Sequence, residues 1–440
     1  MAVNKLTSDL KKKLIQQSLQ RQMKKVDADT KKPIRSLGQA EIPEKFYRFD
    51  QHPGCIQMNI MNKGAEQLGV ESPFFRVHEG VAGALSVIDG NEIINFASYN
   101  YLGLTGHPKV NKAAKKAVDQ YGTSVSASRI VSGERPVHQQ LEQALADFYD
   151  VDDAVVFVSG HATNVSTIGY LFGPKDLIIH DEFIHNSSIV GSQLSGAKRL
   201  SFSHNDMASL EQLLKDNRQQ FERVLIIVEG LYSMDGDFPD LIKLVELKKR
   251  YKTFLMVDEA HSFGVLGDTG KGLREEFNVA STDVDIWMGT LSKTLSGCGG
   301  YIAGESALVE NLRHLAPGFL YSVGIPAPVA AAATASLEII KAEPERIQKL
   351  HQISEYFITS AQQLGLDIGK SQGTAIIPVI LGSSLKAASI SSELFKQGIN
   401  VQPILYPAVP EKSARLRFFL CCDHTEQQVD QTLELLSKLI

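Results

Sequence analysis

Cysteine is scarce in this chain. Four residues, Cys55, Cys298, Cys421 and Cys422, stand among 440, and their spacing matches neither a disulfide framework nor a zinc motif. That argues against a stapled secreted scaffold, leaves no metal to expect, and fits a reducing, cytoplasmic setting. The adjacent Cys421–Cys422 pair reads as strand packing. No apolar run approaches the roughly 18 residues of a membrane helix, and the first 25 residues hold no apolar segment of the secretory kind. Excess positive charge is missing as well: 45 Lys and Arg face 50 Asp and Glu, a net charge of −5. No basic stripe is interleaved with aromatics, so nucleic acid is not an expected partner. There is neither an internal repeat nor a low-complexity tract. What remains is an ordinary globular composition, 43% hydrophobic and 22% charged. The chain is long enough for one large α/β domain with a smaller companion.

Against that background, two short apolar runs end in reactive groups. Phe254-Leu255-Met256-Val257 stops abruptly in Asp258-Glu259-Ala260-His261, which reads as a buried strand carrying a carboxylate and an imidazole to its C-terminal edge. Ile286-Trp287-Met288-Gly289-Thr290 is a second such strand, running into Leu291-Ser292-Lys293 and a glycine cluster. Lys293 lies 35 positions after Asp258, room for one helical crossover between neighbouring parallel strands. A lysine able to form a Schiff base and an aspartate able to pair with a protonated pyridine nitrogen are what pyridoxal phosphate requires. Taken singly, each could be a solvated loop lysine or an acidic strand end.

Strands and helices alternate from about 105 to 325. Apolar runs occur at 154–158, 177–179, 224–228, 254–257 and 286–288, the pattern of a mostly parallel sheet covered on both faces. Before this, Asp89-Gly90 predicts a hairpin turn between 85–88 and 93–96. After about 326 the pattern becomes α–β–α–β–β–α, with strands near 375–381, 399–405 and 415–421 and a final helix over 425–440. The domain reading is therefore 1–70 as a helical arm and linker, 71–104 as strands packing with the small domain, 105–325 as the large domain, and 326–440 as a small α+β domain. Within the arm, Leu6, Leu10, Leu14, Ile15, Leu19 and Met23 recur at helical spacing among Lys11-Lys12-Lys13 and Lys24-Lys25. That basic amphipathic helix suits packing on its own protein or a second copy, docking to an acidic carrier protein, or a membrane surface. Lys31-Lys32-Pro33 reads as a linker.

Ser159-Gly160-His161-Ala162-Thr163-Asn164 follows a strand and opens a helix, where exposed backbone N–H groups favour a phosphate. Many α/β turns carry Ser-Gly with no ligand, so this element gains weight only beside the others. Thr290 and Ser292 are candidate hydroxyl donors to the same phosphate. His185, in His180-Asp181-Glu182-Phe183-Ile184-His185, is either a hydrogen-bonded structural histidine or a flat ring stacked on a pyridine.

Several stretches resemble the α-oxoamine synthases, pyridoxal-phosphate enzymes of fold type I. They are Asn95 to Leu104 (NFASYNYLGL), Val228 to Gly236 (VEGLYSMDG), Asp258 to His261, Thr290 to Lys293, and Ala414-Arg415-Leu416-Arg417. The likeness spans roughly 74–440. Residues 121–136 and 160–164 look most like the branch found as domains of polyketide synthases. The better-known members usually carry an aromatic residue where His161 stands, and a more glycine-rich loop around 124–128.

The resemblance implies a role for each matching position. Lys293 would hold the cofactor and later remove the substrate Cα proton, which requires a pKa brought down toward neutrality. Asp258 would keep the pyridine nitrogen protonated, His185 would stack on the ring, and His261 and Ser233 would bond its phenolic oxygen. Ser159, Gly160, His161, Glu229, Thr290 and Ser292 would complete the cofactor site. Tyr321 and Ser322 would reach the phosphate in the neighbouring subunit, implying a homodimer with shared sites. Arg417 would clamp the substrate carboxylate with Asn100 nearby, Arg415 would be a packing arginine, and Ser126 and Ser128 would lie by the substrate. The expected reaction is a decarboxylating condensation of a small amino acid with an acyl thioester of coenzyme A or an acyl carrier protein. The alternatives are transamination, aldol cleavage, or a catalytically silent subunit of a hetero-oligomer.

Overall fold

The structure is a computed structural model that describes residues 17–25, 42–68 and 71–440. Residues 17–25 are helical; the remainder of the expected basic helix, with Leu6 to Ile15, and the linker at 31–33 lie outside the described residues.

The central element is a seven-stranded sheet. Its strands in chain order are β1 (Asp153–Phe157), β2 (Leu177–Asp181), β3 (Lys198–Phe202), β4 (Val224–Glu229), β5 (Phe254–Asp258), β6 (Ile286–Thr290) and β7 (Gly300–Gly304). Their order across the sheet is β1-β7-β6-β5-β4-β2-β3, and β7 alone runs antiparallel to its neighbours. All six residues of β4 are buried, as a strand covered by helices on both faces must be. The five apolar runs anticipate five of these strands. β3 is an edge strand whose first four residues, Lys198 to Ser201, are partly or fully exposed, so its sequence carries no apolar run. β7 begins and ends in glycine because its backbone passes close to others: a Cβ on Gly300 would sit 2.7 Å from Gly160 Cα.

Two helices start at the C-terminal edge of this sheet. α1 (Gly160–Leu171) leaves β1 and is capped by Ser159, whose Oγ accepts from the Ala162 N–H at 3.0 Å. α2 (Asn186–Leu194) leaves β2 and is capped by His185. Ahead of this layer, strands Leu85–Ile88 and Asn91–Asn95 form the expected hairpin, and the second pairs in parallel with Ile399–Asn400. Its turn residues Asp89 (φ 51) and Gly90 (φ 71) both take the left-handed conformation that such a two-residue turn demands. Beyond 326 the strands fall at Ile376–Ile380, Ile399–Asn400, Gln402–Ile404 and Arg415–Phe419, so the single strand expected over 399–405 is two short ones. The last helix, Glu426–Leu439, carries a capping box from Thr425 and Gln428.

Two compact units are present, both discontinuous in sequence: 1–76 with 381–397 and 403–415, and 77–380 with 398–402 and 416–440. In the first, the Arg76 guanidinium carbon stands 3.5 Å from the Phe395 ring centroid. The second contains the seven-stranded sheet and every expected site residue. Among the described residues, no helix is long and apolar enough to cross a membrane.

Candidate active site

The parallel register aligns Glu229 with Asp258, and Asp258 with Met288, at the C-terminal edge of adjacent strands. Loops leaving that edge are where α/β sheets place ligands. Asp258 is 4% exposed. Its Oδ2 accepts from Asn164 Nδ2 at 2.8 Å, and its Oδ1 accepts from the Ala260 N–H at 3.0 Å. Glu229 is also buried, and burial, reinforced by the neighbouring Asp258 carboxylate, holds its pKa well above the ordinary range. Burial thus biases Glu229 toward its protonated form.

Lys293 follows β6 on the turn of Ser292 to Thr294, with Nζ 5.6 Å from the Tyr99 ring centroid. Burial lowers its pKa to about 8, opposed by Asp258 and Glu229 and assisted by Arg417. These four charged or acidic groups therefore share one neighbourhood. His261 is buried on the turn after β5. Burial, then the cations Lys293 and Arg417, drive its pKa well below the usual imidazole value. Tyr101 Oη lies 2.7 Å from its Nδ1, the Tyr99 ring meets it edge-on at 5.8 Å, and Phe419 stacks parallel at 6.3 Å. Arg417 extends from the strand Arg415–Phe419, with Cζ 4.5 Å from the Phe419 ring, and its Nη1 donates to the Ser233 carbonyl at 3.1 Å. Arg415, by contrast, is buried and donates from Nε to the Ser413 carbonyl.

The phosphate elements meet at the start of α1. A Cβ on Gly160 would stand 3.0 Å from Thr290 Oγ1, so the helix N-terminus and the end of β6 lie close enough that a side chain at 160 would crowd the threonine. Thr290 gives its hydroxyl hydrogen to the Gly299 carbonyl and accepts from the Ser292 N–H, which leaves Ser292 as the exposed hydroxyl of the two. His161 is exposed on the first turn of α1, and His185 is exposed at the cap of α2.

Other expected positions form a separate group. Ser126 is exposed with φ 55, and Ser128 offers its carbonyl to the N–H groups of Val131, Ser132 and Gly133. The Gly324 N–H donates to the Ala127 carbonyl at 3.1 Å, tying that loop to the turn that holds Tyr321, 88% exposed, and Ser322. Asn100 is buried, but its Oδ1 accepts from the Thr105 N–H at 3.1 Å and its Nδ2 reaches the Ala82 carbonyl. Its side chain is thus occupied in shaping its own turn. Four residues to which the sequence assigns no role stand in the site: Tyr99, Tyr101, Asn164 and Ser187. The first three lie inside the motifs, yet nothing in a motif says which side chains turn inward.

These residues fit pyridoxal phosphate. A helix N-terminus relieved of a side chain suits its phosphate, a buried aspartate with both oxygens held suits a protonated pyridine nitrogen, and a low-pKa lysine suits its aldehyde. Comparison with known proteins agrees. The family model for aminotransferase class I and II matches residues 91–436. An 8-amino-7-oxononanoate synthase of Symbiobacterium thermophilum is 42% identical over 354 residues, covering 80% of this chain and 90% of that one. One from Fervidobacterium nodosum is 40% identical over 385 residues, covering 86% and 97%. Among solved structures, serine palmitoyltransferase from S. paucimobilis with a PLP–myriocin aldimine bound superposes with TM-score 0.84 at 29% identity, covering 91% of this chain and 98% of that one. An 8-amino-7-oxononanoate synthase from Francisella tularensis gives TM-score 0.69 at 29% identity, covering 79% and 97%.

The chain belongs to the aminotransferase class I and II family and is a pyridoxal-phosphate enzyme of fold type I. Within that family it stands with the α-oxoamine synthases.

Proposed function

We propose that the chain condenses a small L-amino acid with an acyl thioester, releasing CO2 and a free thiol and leaving an α-amino ketone. The observation that carries this reading is the buried amine of Lys293, lowered to about 8 and grouped with Asp258, Glu229, Arg417 and His261. Pyridoxal phosphate, when bound, supplies the electron sink for the electrons left by proton loss and by decarboxylation.

The side chains divide the remaining work. Lys293 would anchor the cofactor and, as a free amine, would be the base that takes the Cα proton; an amine with its pKa lowered to about 8 can do so near neutral pH, where an ordinary lysine could not. Asp258 would supply the negative charge that keeps the ring nitrogen protonated, with Glu229 beside it biased by burial toward its protonated form. His261, itself neutral, keeps a proton on Nε2 for the cofactor's phenolic oxygen when Tyr101 donates to Nδ1. Arg417 would offer a planar fork to the substrate carboxylate, and Ser159, Gly160, His161 and Ser292 would border the phosphate.

The assembly we propose is a homodimer. Tyr321 (88%), Val131 (79%), Ile130 (53%) and Val323 (51%) are large and exposed around the Ala127–Gly324 junction, and a second copy covering them would bring Tyr321 and Ser322 to its own cofactor phosphate.

The relatives' product name narrows the amino acid. An 8-amino-7-oxo nine-carbon acid, cut between C7 and C8, leaves a seven-carbon acyl group and the two-carbon amine that alanine yields on losing CO2. The deciding experiment offers glycine, alanine and serine, each with acyl groups on coenzyme A and on a carrier protein, and reads thiol release with the mass of the ketone. Thiol release that depends on an amino acid supports the reading. Amino-group transfer to a keto acid without thiol release defeats it.

A further inference from the structure

Asn164, on the second turn of α1 and 1% exposed, touches two of the site's elements at once. Its Nδ2 lies 2.8 Å from Asp258 Oδ2 and 2.9 Å from Ser187 Oγ. A carboxylate only accepts, so the atom facing Asp258 is the amide nitrogen, and the second amide hydrogen is the one aimed at Ser187. Ser187 Oγ, 1% exposed as a residue and already accepting, still has its own hydrogen to give. That oxygen stands 2.6 Å from His185 Nδ1. The backbone N–H of Ser187, 3.3 Å from the same nitrogen, can do nothing but donate. The backbone N–H contact requires Nδ1 to be the acceptor, and the Ser187 hydroxyl, free to give its hydrogen, can donate to the same nitrogen, which leaves the imidazole proton on Nε2.

We propose that Asn164 and Ser187 are positioning residues: a one-directional chain of hydrogen bonds from Asn164 fixes the Asp258 carboxylate on one side and, through Ser187, holds His185 as the neutral Nε2–H tautomer on the other. The inference rests on the reading that Asp258 and His185 face the cofactor ring. The physical benefit is electrostatic. A cationic imidazole lying against a protonated pyridine ring would repel its proton, whereas a neutral ring leaves the attraction of Asp258 unopposed from that side. Both Asp258 oxygens are held, Oδ1 by the Ala260 N–H and Oδ2 by Asn164, so the carboxylate is oriented before any ligand arrives. Protonating Nδ1 would cost the bond from the Ser187 N–H and force the hydroxyl contact to reverse, so geometry as well as burial favours the neutral imidazole.

Histidine tautomers are read directly from two-bond proton–nitrogen spectra of holoenzyme labelled with 15N-histidine, with His185→Gln used to assign the signal. The wild-type protein is expected to show His185 as Nε2–H at pH 7. Ser187→Ala is expected to move the tautomer ratio about fivefold toward Nδ1–H, the change one hydrogen bond makes. Ser187→Thr, which keeps a hydroxyl, restores the wild-type signal. Asn164→Ala shifts the ratio in the same direction, because Ser187 Oγ loses the donor that turns its own hydrogen toward His185. A predominant Nδ1–H form in the wild type overturns the proposal, and that spectrum suffices even if a variant fails to fold. Unchanged tautomers in both Ser187→Ala and Asn164→Ala overturn it too, reducing the pair to helix packing. No acyl thioester enters this measurement, so the absence of thiol release, which would defeat the proposed reaction, leaves its outcome untouched.

Discussion

Tyr101 Oη and His261 Nδ1, 160 positions apart in the chain, lie 2.7 Å from each other in a buried pocket. Burial pushes the Tyr101 hydroxyl well above its ordinary range and the His261 imidazole well below its own, so this bond joins two neutral groups. Tyr101→Phe keeps the ring and removes the bond. We expect kcat to fall by roughly five- to tenfold, the value of about one neutral hydrogen bond. The thermal midpoint should change little; steady-state kinetics beside a melting curve separates the two effects.

Lys293→Ala should abolish turnover. Borohydride reduction of the wild-type holoenzyme, followed by peptide mapping, is expected to place the pyridoxyl label on Lys293. Its buried amine, lowered to about 8, is nucleophilic at a pH where surface lysines are charged. A label on another lysine would transfer the assignment there.

Asp258→Asn should still bind the cofactor but lose most activity. The amide has the carboxylate's shape but can accept only one of the two bonds given by Asn164 and the Ala260 N–H, and it carries no charge to keep a ring nitrogen protonated. Burial biases Glu229 toward its protonated form, which makes it a poor substitute for that charge. Near-normal kcat in the variant would show that the negative charge is not needed.

Arg417→Ala should weaken amino-acid binding far more than donor binding. Losing a charge-assisted contact in a dry site costs on the order of 2–3 kcal/mol, so the amino-acid dissociation constant should rise at least tenfold. Spectral titration of the holoenzyme with amino acid measures this without turnover. An unchanged constant would move the carboxylate clamp elsewhere.

His204 supports a prediction about stability rather than catalysis. It bridges Asp181 at 3.0 Å and Asp237 at 2.9 Å while stacking on Phe183. Burial works to lower its pKa, but hydrogen bonds and attraction from the two carboxylates outweigh it and raise the value from 6.5 to about 9. A folded pKa above the unfolded one means the contribution is complete below about 6.5 and is lost as pH rises through about 9. It amounts to at most about 3 kcal/mol. His204→Gln should therefore melt well below the wild type at pH 6, with the gap closing by pH 10. A gap independent of pH would mean that His204 contributes by packing alone.

How much of the fold and site is legible in one dimension depends on the range of the forces involved. Buried parallel strands need apolar side chains on both faces, so β1, β2, β4, β5 and β6 announce themselves as short apolar runs. Asp89-Gly90 announces its turn because few residues accept two successive left-handed conformations. Lys293, Asp258 and His261 stand out because each interrupts or follows a buried strand with a group that is costly to bury without a purpose. The exposed edge strand β3 and the glycine-bounded β7 left no such trace, since solvent in one case and close backbone approach in the other selected their residues.

What only the folded chain decided is partnership. Asn164 meets Asp258 across 94 positions, Tyr101 meets His261 across 160, and the charge on Arg417 helps to depress Lys293 from 124 positions away. Asn100, which the resemblance sets near the substrate carboxylate, also bonds to the Thr105 and Ala82 backbone, partners no motif announces. Local pattern reflects propensity and burial, which act within a few residues. Hydrogen bonds and pKa shifts depend on separations of a few ångströms and on exclusion of water, and those are set only when distant strands are brought into register.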